Sequence, residues 1–235
     1  MASPSWRDDL IEYIQNLRVF RTREVVEFGV DIGVSKRSID SEIKSLANAG
    51  LLIPANRGMY FTSEVARNPR QALIEIGNCF QPGGAACLDT GLFNQTDVVH
   101  IAVPAGKIGS FNTPIGQVNI HAMTNALTTR FLHNHAASDI YTVEPGVSRN
   151  AAVYSPEVSL VCAGYLTGCG RSDYYPAEPI DHELLSTMRQ PLLTDLISES
   201  GVQVEHINNI LQEGLDVRRY SGKPANRLDM DSPSP

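Results

Sequence analysis

The chain has no apolar run near the ~18 residues that a membrane helix needs, and Asp8 and Asp9 stand where a secretory leader would carry basic residues and an apolar stretch. The expectation is a cytosolic protein with no membrane partner. Cysteine is scarce: Cys79, Cys87, Cys162 and Cys169 include no Cys-x-x-Cys pair, and the composition is not that of a disulfide-dense scaffold. The four are expected to be reduced core residues, with a redox or zinc role as the alternative. Low-complexity tracts are also missing, and 42% hydrophobic against 19% charged residues rules out wholesale disorder. A surplus of positive charge is absent as well: the net charge of -7 argues against nonspecific coating of nucleic acid or anionic lipid.

The charge is unevenly spread over the 235 residues. Residues 1–66 carry eight basic and nine acidic side chains, whereas residues 67–235 carry 11 and 17, so the acidity belongs mostly to the second part. The first part reads as three helices and a hairpin. Ser3 and Pro4 are a cap and a first-turn proline ahead of Trp6, Leu10, Ile14 and Leu17 at helical spacing. Thr22 is a second cap candidate, for a short helix expected to stop at Gly29. The third helix is expected from Ser35 to Asn48 or Ala49, with Gly50 as its terminator. Two apolar runs, Leu51 to Ile53 and Met59 to Phe61, flank a Pro/Asn/Gly turn and predict a β-hairpin. Three helices and a hairpin make a winged helix-turn-helix, with a boundary at residue 66 or 67.

The second part is expected to be a mixed α+β domain over residues 67–220, followed by a disordered tail from residue 221. Asn68 and Pro69 open a helix carrying Leu73, Ile76 and Phe80. Ala85 to Leu88 reads as a short helix of small residues ending at Gly91. Strands are predicted at Val98 to Val103, Val118 to Ile120 and Ile140 to Val143. Ser155, Pro156 and Glu157 open a helix that places Val158, Val161, Cys162, Tyr165 and Leu166 on one face and ends at Gly168. Two amphipathic segments follow, Leu192 to Ser200 and Val204 to Leu211. The whole is α+β, a winged helix-turn-helix followed by a mixed domain.

On the third helix Ile39, Ile43, Leu46 and Ala47 share one apolar arc. Arg37, Ser38, Ser41, Lys44, Ser45 and Asn48 share the opposite one, with Asp40 and Glu42 on the flanks. This suits a recognition helix: short hydroxyls permit close approach, Arg and Lys reach guanine edges or phosphates, and the N-terminus at Ser35 and Lys36 receives a phosphate. The candidate DNA-binding residues are therefore Ser35, Lys36, Arg37, Ser38, Ser41, Lys44 and, at the wing tip, Arg57. Arg18, Arg21 and Arg23 cluster ahead of the second helix. A solvated surface helix and a winged helix used for protein contacts are the alternatives.

Nothing in the sequence points to catalysis, a cofactor or a metal. Gly106-Lys107 lacks the rest of a phosphate loop and Gly83-Gly84 has no lysine. His133 and His135 have no third ligand at metal spacing and read as a surface loop. Asp89 and Glu157 can be weighed as nuclease carboxylates, but the only Glu-x-Lys, Glu42-Ile43-Lys44, falls on the third helix and no nucleophile signature is present.

Four stretches resemble the AbiEi family of type IV antitoxins and abortive-infection regulators. They are Ser35 to Ile39 with Leu46 to Leu52 and Arg57 to Tyr60; Gly84 to Leu88 through Gly91-Leu92; Val98 to Pro104; and Tyr154 to Leu160. The polar, His-containing stretch from Met123 to Ser138 departs from that pattern as an insertion. The resemblance implies a DNA-binding antitoxin and transcriptional autorepressor, acting on double-stranded DNA at an inverted-repeat operator and self-associating there. Its second domain would neutralise a nucleotidyltransferase-like toxin without a stable complex. Two other readings stay open: a regulator whose second domain senses a ligand or partner with no toxin, and a nucleic-acid-processing enzyme.

Overall fold

The computed structural model describes residues 5–80, 86–87, 98–103, 108–123, 134–143, 146–147, 151–169 and 182–211. The expectations for Ser3, Pro4, Gly83, Gly84, Asp89, Gly91, Gly106, Lys107, His133 and the tail lie outside these residues. The described residues form an α+β fold. It opens with α1 (Trp6–Leu17), β1 (Val19–Arg21), α2 (Thr22–Asp31), α3 (Lys36–Asn48), β2 (Leu52–Asn56) and β3 (Met59–Thr62). The strands pair antiparallel in the order β1-β3-β2.

Local chemistry sets most of these boundaries. The cap of α1 is Ser5, not Ser3: Ser5 accepts from the Asp8 backbone, and the Asp8 carboxylate accepts from the Ser5 backbone in return. Helix α2 begins one residue earlier than a Thr22 cap requires, because Arg21 holds the cap position and its backbone N–H donates to Glu24 Oε2 at 2.7 Å. It also runs past Gly29 to Asp31. Gly29 is a point of close approach, since a Cβ there would run into Ile39 Cδ1 on α3. Helix α3 keeps its expected ends: Ser35 caps it through the Ser38 backbone, and Gly50 follows it at φ 74. Leu10, Ile14, Phe20, Val25, Ile39, Ile43, Leu46 and Leu52 are the buried centre of this region.

A 3-10 turn (Val65–Arg67) leads into α4 (Pro69–Phe80). Then come β4 (Ala86–Cys87), β5 (Val98–Val103), β6 (Gly109–Thr113), β7 (Gly116–Ala122), α5 (Ala137–Ile140), β8 (Tyr141–Thr142), β9 (Val153–Tyr154), α6 (Pro156–Gly168), α7 (His182–Thr187) and α8 (Gln190–Ser200). A further helix, α9, spans 204–211. The sheet order is β6-β7-β5-β4-β9-β8, with β5/β7 and β4/β9 parallel and the other pairs antiparallel. Ala86 and Cys87 are thus a strand, not a helix, because they pair with Ala102 and Ile101. The strand expected from Ile140 starts a residue later, after the short α5.

Strand β5 divides the core by its period of two. Val99, Ile101 and Val103 join Leu73, Ile74 and Ile76 of α4, while Ala102 joins Val158, Val161 and Cys162 of α6. Helix α6 is buried nearly all round, including Leu160, Ala163 and Gly164, so the single apolar face expected for it is corrected. α8 and α9 cover it with Leu193, Leu196, Ile207 and Ile210. The α4 cluster also takes in Val19, Met59, Phe61 and Val65, so one apolar core crosses residue 66. No helix among the described residues is long and apolar enough to cross a membrane.

Candidate nucleic-acid interface

Eight basic side chains stand in the first 66 residues, and the structure sorts them into two equal groups. Four are engaged. Arg7 Nε lies 3.1 Å from Glu42 Oε2 and Arg23 Nε lies 2.6 Å from Glu27 Oε1. Arg18 reaches Glu75 Oε1 at 3.3 Å, and Arg21 Nε donates to the Cys79 carbonyl at 3.2 Å. The arginine cluster expected ahead of α2 is therefore not one cationic patch. Arg18 and Arg21 instead fasten β1 to α4.

Lys36, Arg37, Lys44 and Arg57 form the other group. All four are exposed, and none has a carboxylate partner among the described residues. Three lie on α3, where the burial of Ile39, Ile43 and Leu46 turns the opposite arc outward. Lys36, Arg37, Ser41 and Lys44 line one shallow groove there. Asp40, expected on the flank, lines it too. Ser35 and Ser38 are engaged in the cap, their hydroxyls 2.8 Å apart, so what they present outward is chiefly the N-terminus of α3.

Arg57 sits on the two-residue turn between β2 and β3. The Thr22 backbone N–H donates to the Gly58 carbonyl at 2.8 Å, and the Thr22 hydroxyl donates to it at 3.2 Å. The Asn56 side chain accepts from the Arg57 backbone N–H at 2.6 Å. The hairpin tip is thereby anchored to the first residue of α2.

The remaining polar groups of note are structural in their bonding. Glu157, weighed above as a nuclease carboxylate, is buried and accepts from the Arg189 backbone N–H at 2.8 Å and from Arg189 Nε at 3.3 Å. Burial raises its pKa, but the Arg189 bonds outweigh this and hold the carboxyl below its usual value. Arg189 also bonds Asp139, joining α5, α6 and α8. His135 does not remain an isolated loop residue: its Nε2 lies 3.0 Å from Glu199 Oε2.

One pair was missed by sequence reasoning. His100 and His121, both buried, lie on neighbouring parallel strands with Nδ1 and Nε2 2.9 Å apart. Burial, and then the nearby His121, push His100 down to about 3. The available signal was a histidine inside each β-branched run. Burial pushes the Cys162 thiol up to about 12, and burial followed by Glu24 pushes Cys79 up to about 11, as unreactive thiols require. Cys169 is exposed, which corrects the expectation that it is a core residue.

No protein-family model matches the chain, and no curated protein matches it.

Proposed function

We propose that the N-terminal region is a winged helix-turn-helix that binds duplex DNA, and that the protein is an antitoxin and autorepressor of the AbiEi kind. One observation carries the DNA reading: among the described residues up to 66, the four basic side chains with neither an ion pair nor a side-chain hydrogen bond are the four on the α3 groove and the hairpin tip. The element order and the β1-β3-β2 sheet support the winged-helix reading, with α3 as the recognition helix and Arg57 on the wing. Arg37 and Lys44 would reach base edges or phosphates, Ser41 permits close approach, and Ser35, Lys36 and Ser38 receive a phosphate at the helix N-terminus. The antitoxin reading rests on the sequence resemblance. In it, the second part neutralises a nucleotidyltransferase-like toxin without a stable complex.

Four phosphate contacts per copy would give a slope of log K against log salt near ~-3.6. Weak binding by one copy then favours two copies on an inverted repeat, which raises the apparent affinity without further basic residues. A gel shift on the promoter of its own operon tests the interface. Arg37→Ala with Lys44→Ala is expected to abolish specific binding, and Arg57→Ala to weaken binding to all sequences alike. Unchanged affinity in the double variant would refute the α3 assignment. For the antitoxin role, a variant carrying Arg37→Ala, Lys44→Ala and Arg57→Ala, expressed from a foreign promoter, is expected still to protect cells from the cognate toxin. Loss of protection with intact folding would count against a role separate from DNA binding.

A further inference from the structure

The junction of α1, the 3-10 turn and α4 holds a cavity of about 420 Å3, within the ~300–1,000 Å3 of small-molecule sites. Among the described residues its walls carry the polar side chains of Gln15, Arg18, Glu64, Arg67, Asn68 and Gln71, with Val65 and Gly146 completing the lining and no aromatic ring among them. Arg18 is the only non-glycine residue at positive φ among the described residues, at φ 62. Glycine would hold that backbone without steric cost, so the position retains a guanidinium against local preference. The buried Glu75 takes one edge of that guanidinium at 3.3 Å, and a guanidinium has five N–H donors, so others on the same fork remain. Arg67 and Glu64 are exposed, and neither has an ion-pair partner among the described residues. Asn68 Oδ1 accepts from the Gln71 backbone, which leaves the Asn68 amide as a donor.

Two guanidiniums and one carboxylate around a polar space select a ligand carrying both signs of charge. A pure anion would be set against Glu64, and a pure cation against two arginines. We propose that this cavity binds a small zwitterion of the α-amino-acid class. Its carboxylate lies between Arg18 and Arg67, its ammonium faces Glu64, and the amides of Gln15 and Asn68 meet its remaining polar groups. The absence of an aromatic wall among the described residues favours a short, polar side chain. The proposal does not depend on the DNA reading.

Isothermal titration of the full chain with each free L-amino acid in turn tests it. At least one is expected to bind with Kd at or below about 1 mM. Arg67→Ala and Glu64→Gln, both at exposed positions, should each weaken that ligand by about tenfold or more while leaving the thermal midpoint unchanged. The N-acetylated form of the same amino acid, which lacks the ammonium, should bind correspondingly worse. No binding by any amino acid, binding that Arg67→Ala leaves intact, or equal binding of the acetylated form would each overturn the assignment.

Discussion

Lowering the pH from 7 to 5 should destabilise the fold by about 2 kcal/mol through His100 alone. Its imidazole is buried and stacked beside His121 with ring centroids 5.2 Å apart, and its pKa is pushed down to about 3. In the unfolded chain the value is about 6.5. Between those values the unfolded state binds a proton that the folded state refuses, so stability is intact above about 6.5 and falls as the pH drops toward about 3. At pH 7 the penalty is only about 0.2 kcal/mol, and at pH 5 it reaches about 2 kcal/mol. Urea denaturation of the wild type and of His100→Gln at pH 7, 6 and 5 isolates this effect. Carboxylates titrate in both proteins and cancel from the difference, whereas glutamine keeps a polar side chain of similar size that does not titrate. The wild-type advantage or deficit at pH 7 should shift against the wild type by about 2 kcal/mol at pH 5. Parallel curves for the two proteins would show that the folded state accepts the proton, and would refute the reasoning.

Gly29→Leu would drive a side chain into Ile39 Cδ1 and should destabilise by about 1–3 kcal/mol in thermal melts, partly relieved by Ile39→Val. Arg18→Met leaves the buried Glu75 without this partner; because Arg18 is about one-third exposed, the loss should be about 1–3 kcal/mol, below that of a fully buried pair, and Glu75→Gln should recover part of it. Ser35→Ala removes the α3 cap and should cost about 1 kcal/mol by urea denaturation. Glu157 is held below its ordinary pKa, so its contribution is present at neutral pH and lost as the pH falls through the acid range; Glu157→Gln should flatten the wild-type stability profile below about pH 4.3.

The sequence by itself determined the elements whose signals are local. Helix α3 is the clearest: a capping serine, an apolar arc at helical spacing and a glycine beyond the end lie within sixteen consecutive residues, Ser35 to Gly50, and the structure keeps them all. Helices α4, α6 and α8 start or stop at proline and glycine for the same reason, since those residues restrict the backbone whatever surrounds them. The outward placement of Arg37, Ser41 and Lys44 followed from helical geometry once Ile39 and Ile43 were assigned to the core.

Only the tertiary structure decided which charges are available and which short segments are strands. Strand β1 is three residues long and owes its existence to Phe61, Tyr60 and Met59, some forty positions later, so nothing in its own composition marks it. Ala86 and Cys87 are strand because Ala102 and Ile101 lie beside them. Arg18, Arg21 and Arg23 look alike along the chain, yet Glu75, the Cys79 carbonyl and Glu27 give them different roles, and two of those partners lie more than fifty residues away. Helix α6 carries apolar side chains all round, and how many of its faces are buried depended on the α8 and α9 helices packed against it. The His100–His121 pair is likewise set by the parallel register of β5 and β7, which no local pattern records. Propensity and capping act over a few residues, whereas ion pairing, strand pairing and burial depend on which distant segments the folded chain brings together.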